Sequence, residues 1–516
     1  MEAVLVTKSS GVAHRALKVS TVTGLSTALS IILQLVSVPV CLKYWGKEAY
    51  GMWLTVIAAF MLLRTIDGGY TAYVGNKINL LYHADRSALS ESLASAVWGV
   101  TLLGALQLLI AGVLVGMDGV FALFPESANN SGHGAGVALL VLVGTWVLTG
   151  PYLGIVHRLM IPAGMMYQSA WWSMGFQVTQ FVAIMVAAVM QLSLLKTSVM
   201  FACIQSFIYL ASAVYIRNKL PEYFPWWRSP KFSIGVSDLS KSTLLTLSSV
   251  LQQGTTNALV VLVSALGGAA SVATFTTVRT LANLWTNVSN ILTTPLLPDV
   301  VRYHAKREGE KLLAMNQAHW VLVGTVVNLG ILLSFPLIGT LYGYWINHSI
   351  ILNQPLLCLL LAGVAVANAG ALMNLYLNGI NNLKIVFLSA AIRSVCGLML
   401  GWYLFSSFGF AGLGGAILFG ELAVLFIMLI SFSRTEIADI KIGALLINCL
   451  PTSLSLAVIL IYLGIEATGA NLNIVFYVTA LFSIMATALW GWISLDAPVK
   501  NGFIIMFTHL TEYGKQ

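Results

Sequence analysis

The chain has 516 residues, of which 58% are hydrophobic and 9% charged, with a mean hydropathy of +0.87 and a formal net charge of +8. So few charges cannot cover the surface of a soluble protein of this length, which leaves a polytopic membrane protein. The positive balance does not require nucleic acid, because in a membrane protein the distribution of basic residues between loops matters more than their sum.

Residues 1–19 are mildly basic and the apolar run after them continues for a full span, so it reads as an anchor, with no cleavable signal. Apolar runs predict fourteen spans: 20–42, 50–74, 92–116, 134–155, 166–190, 197–216, 243–266, 270–298, 319–343, 354–378, 385–407, 411–433, 442–463 and 472–494. The cysteines Cys41, Cys203, Cys358, Cys396 and Cys449 are odd in number and scattered through the spans, unlike a disulfide scaffold or metal site. With the N-terminus inside, twenty of the 26 lysines and arginines fall on the cytoplasmic side. The opposite side receives only Lys43, Lys47 and Lys196, and Arg64, Arg279 and Arg393 lie within spans. This bias predicts an even number of spans with both termini cytoplasmic.

The segment 221–235 interrupts the apolar pattern with three prolines and paired tryptophans. It predicts an interfacial cytoplasmic linker, 221–240, between a first lobe at 1–220 and a second at 241–435, with an extra two-span hairpin and tail at 436–516. No phosphate-binding G-x-x-x-x-G-K-[ST] loop occurs, so an ATP-driven transporter would need a separate partner.

The chemistry-bearing residues are polar groups inside the spans, where they are costly and must face protein or water. The second span carries Arg64 and Asp67 at i and i+3, on one helix face, where they can partly offset each other or form a polar cavity wall. Gln34 lies deep in the first span, and Gln252, Gln253 and Asn257 interrupt the seventh. In the eighth, Arg279, Asn283, Thr286 and Asn290 recur at helical spacing, with Asn287 beside them. Asn368 and Asn374 occupy the tenth span, Arg393 the eleventh and Glu421 the twelfth. The last two suit equally a buried ion pair and a proton-coupling role. The histidines lie outside span interiors or at their ends and form no catalytic or metal constellation, so an enzyme is not expected. Three arginines against two acids favour an anionic or phosphate-bearing substrate, since a guanidinium matches phosphate oxygens.

Pro39 followed by Tyr44, Gly46, Glu48, Tyr50, Gly51 and Trp53, then Asp67-Gly68, resembles a motif of the polysaccharide or O-antigen flippases. These belong to the multidrug, oligosaccharidyl-lipid and polysaccharide exporter superfamily. Asn378-Gly379 with Lys384, and the glycine-rich 409–416, resemble that family's C-terminal half. The resemblance runs from about residue 15 to residue 435. It implies an all-α fold of two six-helix lobes, V-shaped around a central cavity, working by alternating access. The implied cargo is a polyprenyl-pyrophosphate-linked oligosaccharide, moved to the outer leaflet of the inner membrane for surface polysaccharide synthesis. Arg64 and Arg279, with Arg393 behind them, become headgroup contacts, and Gln34, Gln252, Asn257, Asn283, Asn287 and Asn374 further substrate contacts. No cofactor is implied beyond a coupling ion, H+ or Na+, for which Asp67 and Glu421 are the candidates. A polysaccharide polymerase or glycosyltransferase would be the membrane partner.

The last two spans resemble the extra hairpin of the lipid II flippase branch. As an internal repeat, Gly46 and Gly267 mark equivalent turns, with Arg64 eighteen residues and Arg279 twelve residues beyond them. The alternatives are a cation-coupled drug or metabolite antiporter of the same fold, and a membrane scaffold with no transport cycle.

Overall fold

The computed structural model describes residues 2–82, 85–116, 131–380 and 382–433, together with Met485 and Leu489. The expected thirteenth and fourteenth spans, the tail and Cys449 lie outside the described residues. Everything of regular structure among the described residues is helical.

The helices are α1 (Glu2–Leu81), α2 (Arg86–Gly116), α3 (Ser131–Arg158), α4 (Met166–Val189), α5 (Leu194–Lys219), α6 (Phe232–Ser249) and α7 (Thr255–Thr293). They are followed by α8 (Leu297–Ala305), α9 (Gly309–Trp345), α10 (Gln354–Ala369), α11 (Ala371–Gly379), α12 (Leu383–Ser394) and α13 (Gly401–Ser433). Seven helical stretches are long and apolar enough to cross a membrane, or eight if the bent pair α10–α11 is one span. The protein is therefore a multi-pass, all-α membrane protein.

Three of the long stretches are each two spans joined at a glycine. Gly46 in α1 has φ 72° and ψ 175°, and Gly268 in α7 has φ 74° and ψ 176°. Gly409 in α13, at φ 59°, plays the same part. A residue with a Cβ adopts these conformations only at a cost, so the glycines allow each span to run into the next. The near-identity of Gly46 and Gly268 corrects the expected turn at Gly267 by one residue. One-turn π segments, Val250–Gly254 and Val395–Leu400, interrupt the spans that lead into Gly268 and Gly409.

Contacts divide the chain into two units, Met1–Thr277 with Trp345–Ile350, and Val278–Tyr344 with Ile351–Gln516. In the first unit, one apolar core gathers Trp53, Phe60, Leu142, Trp146 and Tyr209, and a second gathers Tyr70, Leu93, Ile155 and Tyr223. In lipid such packing acts mainly through van der Waals fit. The seam between α1 and the α6–α7 stretch shows this fit. Gly51 abuts the Ala269 backbone and Gly69 the Thr246 backbone so closely that a Cβ at either position would overlap its neighbour. Trp226 of the 221–235 segment is buried in the second core, while its neighbour Trp227 is half exposed.

Helix breaks are closed by indoles. Pro39 cannot donate to the carbonyl four residues before it, and the Trp345 Nε1–H donates to that Leu35 oxygen at 2.7 Å. In the second unit, α10 and α11 meet at 48° across Gly370. There the Trp320 Nε1–H donates to the Ala369 carbonyl at 2.7 Å. The second unit's core packs Val300, Trp320, Tyr376, Val424 and Phe432.

Candidate functional site

The α1 helix continues through Lys77 to Leu81, so Lys77 is not in the loop that the span 50–74 implies. Its ammonium binds both carboxylate oxygens of Asp238 on α6, at 2.7 and 3.0 Å, and Asp238 is 2% exposed. This ion pair joins the cytoplasmic ends that the topology predicts for the two helices. Asp238 precedes the expected seventh span by a few residues, and a rule that looks only within spans passes over it.

Higher on α1, Asp67 is 4% exposed. The i, i+3 spacing suggests an offset by Arg64, and the two charges do attract each other, but they form no direct ion pair. The carboxylate Oδ1 accepts from Gln107 Nε2 on α2 at 3.0 Å, and the same amide also donates to the Leu63 carbonyl at 3.2 Å. Arg64 instead lies over the Trp146 ring of α3, with its guanidinium carbon 3.9 Å from the ring centroid. It also reaches the Tyr209 hydroxyl of α5 at 3.5 Å. A guanidinium on an aromatic face is held by the ring quadrupole and keeps its full charge. Among the described residues, no carboxylate lies within ion-pair distance of Arg64. Gln107, Trp146 and Tyr209 were not among the sequence candidates. Gln107, a lone amide in the middle of an apolar span, carried the same signal as Gln34.

The half-buried Arg279 belongs to the second unit, with Asn283 and Asn287 half-buried and Asn290 exposed further along α7. Measured from the true breaks, Arg64 lies eighteen residues beyond Gly46 and Arg279 eleven beyond Gly268. The difference of seven residues is two helical turns to within about 20°. Counted from its own glycine break, each arginine therefore leaves its helix in nearly the same direction, with Arg64 two turns further along. This replaces the out-of-register relation expected from Gly267.

Arg393 and Glu421, half-buried, form a bidentate pair across α12 and α13, Nε to Oε1 at 2.8 Å and an η nitrogen to Oε2 at 2.9 Å. The open choice between an ion pair and a free coupling acid takes the first form here. The remaining amides are more dispersed. Gln34 and Gln252 are exposed, Asn257 donates to the Gln253 carbonyl of its own helix at 3.1 Å, and Asn374 accepts from Asn378 at 3.0 Å. Among the described residues no three His, Cys, Asp or Glu side chains are grouped so as to hold a metal ion.

No protein-family model matches the sequence, and no curated protein matches it. Solved structures do. The lipid II flippase MurJ in an inward closed conformation matches with a TM-score of 0.65 at 15% identity, over 91% of this chain and 98% of that one. An inward-facing multidrug resistance MATE family transporter of the MOP superfamily matches with a TM-score of 0.62 at 14% identity, over 81% and 95%. The Vibrio cholerae MATE transporter VcmN matches with a TM-score of 0.55 at 15% identity, over 83% and 98%. At these identities the likeness is one of fold: the chain is a polytopic all-α membrane protein with the fold of the MOP-superfamily transporters.

Proposed function

We propose that the protein is a flippase. In this reading it carries a polyprenyl-pyrophosphate-linked oligosaccharide from the inner to the outer leaflet of the cytoplasmic membrane by alternating access, for surface polysaccharide synthesis. The observation that carries the reading is Arg64. It lies within an apolar span, against an aromatic ring and a hydroxyl, and among the described residues no carboxylate pairs with it directly. Such a cation is expensive unless it meets an anion during the working cycle, and a pyrophosphate offers the oxygens that a guanidinium fork fits. Arg279, which leaves its helix in nearly the same direction counted from its own glycine break, is the second proposed contact. Arg393 ranks behind both because Glu421 already occupies its fork. The similarity of fold to a lipid II flippase supports this cargo class without establishing it.

The buried Asp67 supports a second reading, a cation-coupled antiporter of the same fold, in which Asp67 takes up H+ or Na+. In the flippase reading the same acid serves as the coupling group. Both readings expect the cytoplasmic membrane with both termini cytoplasmic, and the flippase reading adds a polymerase or glycosyltransferase as neighbour.

The deciding experiment measures delivery of lipid-linked sugar to the outer leaflet by Arg64→Ala and Arg279→Ala variants present at wild-type levels. Loss of delivery in both is expected. Wild-type flux in either removes that arginine from the headgroup site, and wild-type flux in both sinks the proposal.

A further inference from the structure

The segment between the end of α5 at Lys219 and the start of α6 at Phe232 is pinned to the first unit. Tyr223 and Trp226 are buried in its second core. The Lys231 N–H donates to the Ser95 hydroxyl of α2 at 2.9 Å, and the Lys231 ammonium meets Glu91 of the same helix at 2.8 Å. Phe224 is the hub of what remains outside. Its ring carries the Arg217 guanidinium at 4.4 Å and meets the Trp227 indole edge-on at 5.5 Å. Trp227 is 51% exposed and Phe232 72% exposed.

The charges around this segment do not balance. The acids of the segment and of the helix ends beside it already have partners. Glu222 meets Arg86 at 3.5 Å, Glu91 meets Lys231, and Asp238 meets Lys77. Asp85 accepts from the Ser87 and Ala88 N–H groups at the start of α2. Arg217, Lys219 and Arg228 are exposed, and among the described residues none has a carboxylate within ion-pair distance. The sorting of basic residues by topology explains why these cations are cytoplasmic. It does not explain why they stand uncompensated beside exposed aromatic rings.

An acidic protein or a free phosphate would take the cations and leave Trp227 and Phe232 in water. An anionic phospholipid takes both. Its phosphate accepts from guanidinium and ammonium groups, and its glycerol region covers aromatic rings, which favour the headgroup level. The segment leads at each end into a helix long and apolar enough to cross the membrane, so it is held at the bilayer edge. The predicted topology makes that edge the cytoplasmic one, where the leaflet carries a negative surface potential.

We propose that the 217–232 segment binds the headgroup of an anionic phospholipid of the inner leaflet. Arg217, Lys219 and Arg228 hold its phosphate, and Trp227 and Phe232 seat its glycerol region. The site does not depend on the flippase reading.

Native mass spectrometry of the full-length protein tests it. The protein is released from micelles holding equal amounts of phosphatidylglycerol and phosphatidylcholine with the same acyl chains. Retention should favour phosphatidylglycerol. That preference should fall about fivefold in Arg217→Gln and in Arg228→Gln, the effect of one headgroup cation lost. Lys306→Gln, which removes an exposed base of the second unit, should leave it unchanged. Thermal unfolding checks that all three variants fold as the wild type does. In nanodiscs, the emission that Trp227→Phe removes should be quenched more strongly by acyl-brominated phosphatidylglycerol than by aqueous iodide.

Equal retention of the two lipids overturns the proposal, and is the result expected if these bases face water or an acidic protein. Unchanged preference in both arginine variants also overturns it. An equal fall in Lys306→Gln does the same, because the preference would then belong to the basic face as a whole. Displacement of the lipid by an equal concentration of glycerophosphoglycerol, its headgroup without acyl chains, would mean a site for free phosphate and sink the lipid assignment. Quenching of Trp227 by iodide alone would place the segment in water, with the same consequence.

Discussion

The amide of Gln107 holds the carboxylate of Asp67 at 3.0 Å, and Arg64, one turn away on the same helix, does not. The two charges attract each other, as a helical wheel suggests, without forming a direct ion pair. The acid meets the amide of α2, and the base lies on the rings of α3 and α5.

If Gln107 is what keeps Asp67 tolerable in the interior, Gln107→Leu leaves a buried carboxylate without its donor. The expected loss is about 1–3 kcal/mol of stability, readable by thermal unfolding in detergent. Asp67→Asn keeps the size of the group and removes the charge, so it should cost less. A Gln107→Leu protein as stable as wild type would show that the hydrogen bond contributes nothing.

The Lys77–Asp238 pair joins α1 to α6, with Asp238 almost fully enclosed. Removing only the base strands a buried charge, so Lys77→Met should destabilise by about 3 kcal/mol, and Asp238→Leu added to it should restore most of that loss. Additive losses in the double variant would mean that the two groups do not act as a pair.

For Arg393 and Glu421, the bidentate geometry predicts a structural pair. Arg393→Gln and Glu421→Gln should each lower the midpoint of thermal unfolding, and the exchange Arg393→Glu with Glu421→Arg should recover part of the loss. Flux in the exchanged protein should keep its wild-type dependence on pH and Na+. A changed dependence would instead make Glu421 the coupling acid.

How legible the protein was depended on the range of the interaction. Composition and the spacing of apolar runs pointed to the membrane and to the helices, because the bilayer demands about twenty apolar residues per span and satisfies backbone groups only within helices or closed barrels. The first six spans are present with edges that differ by several residues. The largest differences are at α1, which begins at Glu2 rather than residue 20 and runs past residue 74 to Leu81, where Lys77 meets Asp238 within the helix. Gly46 was legible as a turn, while Gly268 was misplaced by one residue because Gly267 and Gly268 are chemically alike and only the backbone dihedral distinguishes them.

By itself, the sequence determined that this chain crosses a membrane many times and that it keeps arginines within its spans. Both follow from the cost of transferring each residue into hydrocarbon, which every residue carries wherever its neighbours lie. Only the tertiary structure decided which charges are neutralised. Arg393 meets Glu421, Lys77 meets Asp238, and Arg64 meets Trp146, because a partner's identity depends on which helix faces are brought together by packing. Glycines such as Gly51 and Gly69 set that packing by letting backbones touch, and no linear pattern records which backbone arrives opposite them.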